Sequence, residues 1–290
     1  MSDDQTETYR ERWFHAEDGL KLHYRDYGDP LSDAVPMVCL GGYTRNATDY
    51  HLFASREAKH RRVVCPDYRG RGKSAYAADV RDYDAPALLR DLTHLLAAAN
   101  LGQVLLCGTS FGGMLIMGLA VMAPATIAGA ILNDAGPDLD SSRLTQMRKY
   151  VGQAAHPLDW TEATAYVREV YADMGLEADE DWRDVARGTF REGPDGRLAL
   201  DYDLNLANQL GSRVPDLWRL FRALRPFPVL ALRGEISKVV SAETFERMRR
   251  EKPDLVQATI PGVGHTPRLI EPTSIEAIDG FLKQFDRTDH

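Results

Sequence analysis

Val104-Leu105-Leu106-Cys107-Gly108-Thr109-Ser110-Phe111-Gly112-Gly113-Met114 is the stretch on which the reading of this chain turns. Four consecutive apolar residues suit a strand buried on both faces of a parallel sheet. The backbone must then turn sharply between Gly108 and Gly113, because Met114 to Met122 is an apolar helical run that stops before Pro124. A serine on a glycine-flanked strand-to-helix turn has its hydroxyl exposed at a fixed angle, where a neighbouring base can activate it. Gly108, Ser110 and Gly112 fit the pattern GxSxG, so Ser110 is the expected nucleophile and an ordinary glycine-rich turn is the bland alternative. Phe111 opens the helix, and its backbone N–H can donate to a developing oxyanion.

On either side of this unit the chain alternates between short apolar runs and amphipathic segments. Trp13-Phe14-His15 and Leu20 to Arg25 read as two strands joined at Asp18-Gly19. Pro36 to Leu40 and Val63 to Cys65 read as buried strands. Leu88, Leu92, Leu95, Leu96 and Ala99 share one helical face, followed by a strand over Ile127 to Leu132 that closes on Asn133-Asp134-Ala135-Gly136-Pro137. After a change of texture, strands resume at Pro228 to Leu232 and Leu255 to Ile260. A last helix follows, expected to be capped by a Thr273-x-x-Glu276 box and to bury Ile275, Ile278, Leu282 and Phe285. The alternation predicts an α/β fold with a doubly wound, mostly parallel sheet. Residues 137–225 break the rhythm with charged, aromatic-rich helices and read as a helical cap inserted into a core of 1–136 and 226–290.

Composition narrows the chemistry. With 290 residues and 44% hydrophobic content the chain can bury the core of one large domain plus an insertion. Its 35 basic and 43 acidic residues leave a net charge of -8, which offers no basic field for nucleic acid and favours a small-molecule substrate. Cys39, Cys65 and Cys107 lie in apolar runs without paired spacing, so they read as buried hydrophobes, with no metal and no cofactor expected. No signal core or membrane-length run occurs; a cytoplasmic protein that leaves the membrane alone is expected, with a homodimer left open.

Two further loops complete the expected site. Gly41-Gly42-Tyr43 follows the third strand and lets backbone approach a substrate, which makes the Tyr43 N–H the second oxyanion donor. Gly42, Arg45, Asn46 and Tyr50 are then candidate pocket-wall residues. Three histidines follow Ser110: His156 in the insertion, His290 at the end of the chain, and His265 in Gly262-Val263-Gly264-His265-Thr266-Pro267, a glycine loop directly after the last strand. His265 is the expected base.

Taken together, these pieces resemble the α/β-hydrolase superfamily. The resemblance rests on Gly41-Gly42-Tyr43, on Asp67-x-Arg69-Gly70-x-Gly72-x-Ser74, on Gly108 to Gly113, on Arg233-Gly234-Glu235 and on Gly262 to His265. It implies an eight-stranded sheet, a lid where the insertion falls, and acyl transfer through serine, acid and histidine in that chain order. It also implies a structural, buttressing role for Asp67, Arg69 and Ser74.

One position departs from the family pattern. Most members carry the acid shortly after Arg-Gly-Glu, and here the chain reads Ile236-Ser237-Lys238-Val239-Val240, with no aspartate. Lysine cannot accept the imidazole N–H, and its charge disfavours an imidazolium. Asp134, at the end of the strand after the nucleophile helix, is the expected acid; some branches of the family place it there, and Glu235 is the reserve. Asp134 as a mere turn former is the alternative. The expected activity is hydrolysis of a small carboxylic ester or lactone through an acyl-enzyme, with an apolar or cyclic acyl group favoured. Thioester or carbon–carbon bond hydrolysis, a cofactor-independent dioxygenase and a non-catalytic binding protein are the rivals.

Overall fold

The computed structural model describes residues 8–138, 141–210 and 216–286; His290 lies outside them. In chain order the strands are β1 Tyr9–His15, β2 Lys21–Tyr27, β3 Met37–Leu40, β4 Val63–Pro66, β5 Val104–Thr109, β6 Ile127–Asn133, β7 Phe190–Glu192, β8 Leu198–Leu200, β9 Val229–Gly234 and β10 Val256–Ile260. The helices are α1 His51–Glu57, α2 Ala85–Ala98, α3 Phe111–Met122, α4 Ser141–Val151, α5 Trp160–Val170, α6 Asp179–Thr189, α7 Leu217–Arg222, α8 Ala242–Glu251 and α9 Pro272–Leu282.

Eight strands form one sheet in the order β1-β2-β4-β3-β5-β6-β9-β10. The β1–β2 and β2–β4 pairs are antiparallel and every other pair is parallel. Strands β3 to β6 are buried along almost their whole length, which explains why their sequence is continuously apolar and does not alternate. One face packs on Leu88, Leu92 and Leu95 of α2, Leu115 and Leu119 of α3 and Met248 of α8. The other packs on Phe53 and Ala54 of α1 and on Ile278, Phe281 and Leu282 of α9. The sheet is therefore doubly wound. All three cysteines are buried within it.

The last helix begins otherwise than its sequence suggested. Pro272 occupies its first turn and Glu271 is the N-cap, so the expected Thr273/Glu276 box does not form. Proline has no N–H to satisfy and its φ is already helical, which moves the start two residues upstream. Glu271 instead accepts from the Arg268 amide (2.6 Å) and the Ser274 hydroxyl (2.7 Å).

Between β6 and β9, Trp218 and Phe221 of α7 join the core on the sheet, while helices α4 to α6 and the β7–β8 hairpin build a separate apolar cluster around Val167, Trp182, Ala186, Phe190 and Leu206. Tyr43 and Tyr83, from the loops above the sheet, belong to the same cluster. Polar contacts reinforce this junction. The Asn46 side chain donates to the Gly188 carbonyl (3.2 Å) and to Asp201 Oδ2 (2.8 Å), and the Gly72 amide donates to the Asp201 carbonyl (3.1 Å).

Burial, and then the nearby charge of Asp67, push the Asp201 carboxyl up to about 6. A carboxyl raised above its unfolded value binds its proton more tightly in the folded state. Its cost is therefore fully present above pH 6 and is relieved as pH falls through 6. We predict that Asp201→Asn, which keeps an acceptor for Asn46, raises the unfolding free energy at pH 7.5 by about 1–2 kcal/mol. Urea denaturation at pH 7.5 and pH 5 checks this; an equal gain at both values contradicts it.

Candidate active site

Ser110 joins β5 to α3 with φ 52° and ψ -110°, a backbone conformation that non-glycine residues rarely adopt. Two glycines make it feasible by permitting contacts a side chain would block. A Cβ on Gly108 would strike the Gly112–Gly113 backbone, and one on Gly112 would strike the Leu40 carbonyl at the end of β3. The Ser110 amide donates to the Asn133 carbonyl (2.9 Å), fixing the turn against β6. The Asn133 side chain donates to Thr109 Oγ1 (3.1 Å) and to the Pro267 carbonyl (2.8 Å), so one amide group links the serine turn to the His265 loop.

His265 Nδ1 lies 2.6 Å from Asp134 Oδ2. Asp134 is fully buried and ends β6 with φ 45°, while the His265 side chain remains about one quarter exposed. The same Asp134 oxygen accepts from the Ser237 hydroxyl (2.6 Å), and its other oxygen accepts from the Gly234 amide (3.2 Å). Ser237 Oγ receives the Val239 amide (3.1 Å) and the Val240 amide (3.4 Å), so its single proton is directed at the carboxylate. Glu235 does not join this group and instead accepts from the Gly262 amide (2.8 Å).

Ser110 and His265 open into one cavity of about 1580 Å³, whose wall includes Gly42, Tyr43 and Phe111. The Tyr43 ring meets Phe111 edge-on at 5.0 Å, and its hydroxyl donates to the Leu206 carbonyl (2.8 Å). Arg71, wholly buried, holds the Tyr43 backbone by donating Nε to its carbonyl (2.9 Å), with its guanidinium 5.2 Å from the Tyr43 ring and 5.6 Å from that of Tyr68. Burial pulls the Arg71 pKa down to about 10.

The pocket-wall expectations divide. Arg45 and Tyr50 line the cavity. Arg45 pairs with Asp49 through Nε and Nη2 and donates from Nη1 to Thr189 Oγ1 (2.6 Å). Burial works against its cation, and Asp49 more than offsets this, holding its pKa above the ordinary arginine value. Tyr50 donates to the Leu40 carbonyl (2.9 Å). Asn46 is not on the cavity wall, because its side chain turns away to bond Gly188 and Asp201. His156 is exposed. Asp67 accepts from His23 Nδ1 (2.7 Å), the Ala47 amide (2.7 Å) and the Lys73 amide (2.9 Å), which makes it a loop organiser.

A family model described as "Alpha/beta hydrolase family" matches residues 37–274. The chain belongs to the α/β-hydrolase family. It is 33% identical over 273 residues to a 3-hydroxybutyrate-oligomer hydrolase of Cupriavidus necator, covering 90% of this chain and 92% of that one. It is 24% identical over 266 residues to a 2-(acetamidomethylene)succinate hydrolase of Mesorhizobium japonicum, covering 91% and 92% of the two chains. A solved α/β hydrolase from Novosphingobium aromaticivorans superposes with a TM-score of 0.89 at 40% identity, covering 96% of this chain and 99% of that structure. This α/β hydrolase is thus similar, over nearly its full length, to enzymes that hydrolyse small molecules or their oligomers.

Three residues of the site went unnoticed in the sequence: Ser237, Arg71 and Asn133. Ser237 could have been suspected from its place in the loop where the family's usual acid is missing, whereas Arg71 and Asn133 carry no signal beyond lying in motif-bearing loops. Removing the hydroxyl in Ser237→Ala takes one donor from a buried carboxylate and one acceptor from two amides. The expected loss is about 1–3 kcal/mol of unfolding free energy, read from denaturant titration. A loss below about 0.5 kcal/mol would mean that water replaces the hydroxyl.

Proposed function

We propose that this hydrolase cleaves a small carboxylic ester through an acyl-enzyme on Ser110, with His265 as base and Asp134 as acid. The observation that carries the reading is the 2.6 Å contact of His265 Nδ1 with the buried Asp134 carboxylate, in a cavity that Ser110 also faces. With Nδ1–H given to Asp134, the unprotonated Nε2 is free to take the hydroxyl proton.

Ser110 Oγ attacks the ester carbonyl as its proton passes to His265 Nε2. The amides of Tyr43 and Phe111 hold the negative oxygen of the tetrahedral intermediate. Collapse breaks the bond to the alcohol oxygen, which leaves with the proton from His265. Water then gives a proton to His265 and attacks the acyl-enzyme; the second collapse releases the acid and returns the proton to Ser110. Asp134 keeps the imidazole in one tautomer and stabilises its cation at each transfer.

The substrate class proposed is a short hydroxyacid ester, supported by the likeness to the 3-hydroxybutyrate-oligomer hydrolase. Leu89, Met114, Leu115, Leu217 and Leu220 supply an apolar wall for aliphatic units. Residues 137–225 act in this reading as a cap, with Tyr150, Tyr171 and Val185 facing the cavity from above the sheet.

Ser110→Ala is expected to abolish release of product from a p-nitrophenyl ester and labelling by a fluorophosphonate, with an unchanged unfolding profile; turnover within a few-fold of wild type would exclude the serine. Asp134→Asn keeps the shape but replaces an accepting oxygen with a donor, and the expected loss in turnover is on the order of 10⁴, about 5 kcal/mol. If that variant stays nearly as active as wild type while Glu235→Gln is inactive, the acid is Glu235.

A further inference from the structure

Five cationic side chains line the cavity: Arg25, Arg45, Arg187, Lys238 and Arg268. Arg45 is neutralised by Asp49, Arg187 by Glu180 and Asp184, and Arg268 by Asp181. Arg25 stacks on the Tyr9 ring at 4.4 Å and stands on β2, separated from β5 by β4 and β3. Arg25 and Lys238 form no ion pair among the described residues, and of the two only Lys238 stands by the proposed acid, on the loop after β9 whose Ser237 bonds Asp134.

The backbone that presents Lys238 is held from several sides. The Ile236 amide donates to the Val263 carbonyl (3.1 Å) and the Ser237 amide to the Gly234 carbonyl (3.0 Å). Arg233 Nε donates to the Val240 carbonyl (2.8 Å), and Ser237 anchors the loop on Asp134. The side chain thus leaves from a preorganised loop beside the Asp134–His265 pair. Nearby acids do not claim it. Asp134 is occupied by Ser237, His265 and Gly234, and Asp138 accepts from Trp218 Nε1 (2.7 Å) and Thr244 Oγ1 (2.7 Å). Lys238 is an exposed residue on the wall of a cavity with apolar surface on Leu217, Leu220 and Val239, and an ammonium on a four-carbon stem there suits an anion carried on an aliphatic chain.

We propose that Lys238 binds a free carboxylate of the substrate, so that the preferred ester carries a carboxylate close to the bond that is cut. This rests on the acyl-transfer reading above and deepens it. The loop that lacks the family's usual acid becomes, on this account, a reader of substrate charge. An aspartate in that loop would have neutralised the lysine; with the acid on β6, the cation stays available.

The test compares the linear dimer of 3-hydroxybutyrate with its terminal carboxamide, which has the same internal ester and no charge. Wild type is expected to prefer the acid in kcat/KM by about tenfold, expressed mainly in KM. Lys238→Met should bring that ratio close to one, Lys238→Arg should keep most of it, and 0.5 M salt should lower it in wild type. A ratio in Lys238→Met within about twofold of wild type, or no preference in wild type, overturns the proposal. Fluorophosphonate labelling of Ser110 separates the two levels. Labelling with turnover of the carboxamide but no charge preference removes the role of Lys238 alone. Absence of both labelling and ester turnover removes the acyl-transfer reading and this proposal with it.

Discussion

A buried carboxylate just past the end of β6 governs this structure. Asp134 has no exposed surface and, among the described residues, no ion pair to a lysine or arginine, so its charge must be met by hydrogen bonds. An isolated ion in such a place would cost many kcal/mol. Three donors meet it from two parts of the chain: His265 from the loop after β10, and Gly234 and Ser237 from the end of β9 and the loop that follows it. Satisfying one charge therefore ties the end of β6 to two segments about 100 and 130 positions away in sequence. In the proposed mechanism that same arrangement fixes the imidazole tautomer, so the requirement that stabilises the fold also orients the base.

The serine turn relies on a second constraint, which is space. Its unusual backbone persists because Gly108 and Gly112 let β3, β5 and α3 approach more closely than any side chain permits. Gly234 repeats the pattern on the other side, where a Cβ would collide with the Gly264 carbonyl next to His265. Close backbone approach on both sides of β6 brings Ser110 and His265 to the wall of one cavity. Arg71 and Asn133 then hold the Tyr43 and Pro267 backbones by single hydrogen bonds, with no contact to the cavity interior of their own.

Charge is distributed unevenly around this cavity. Most of its arginines are neutralised by neighbouring acids, Arg187 within α6, while Arg45 and Arg268 also join the helical segment to the loops above the sheet. Arg45, paired with Asp49 and bonded to Thr189 and Tyr171, is such a joint. Neutralised cations cannot distinguish a charged ligand from a neutral one, and an unpaired lysine can. The loop after β9 carries no aspartate and presents a lysine that forms no ion pair among the described residues.

Much of the molecule is legible in one dimension because its signals are local. Continuous apolar runs mark strands buried on both faces, helical spacing marks α2, and GxSxG marks a turn that only glycines can flank; each depends on residues within a few positions of one another. The proximity of Ile127–Asn133 to the strand bearing Arg233-Gly234 also follows from the order of an alternating α/β chain, and it led to Asp134. Sequence misplaced the start of the last helix, where Thr273 and Glu276 resembled a cap but Pro272 and Glu271 supply the first turn. It also put Asn46 on the cavity wall, although its amide is drawn to Gly188 and Asp201, more than 140 positions away. The bonds from Ser237 to Asp134, from Asn133 to Pro267 and from Arg71 to Tyr43, and the lack of an ion pair to Lys238 among the described residues, were decided by the tertiary structure alone. A hydrogen bond is satisfied by whatever group the folded chain brings within 3 Å, and sequence carries no record of which distant group that is.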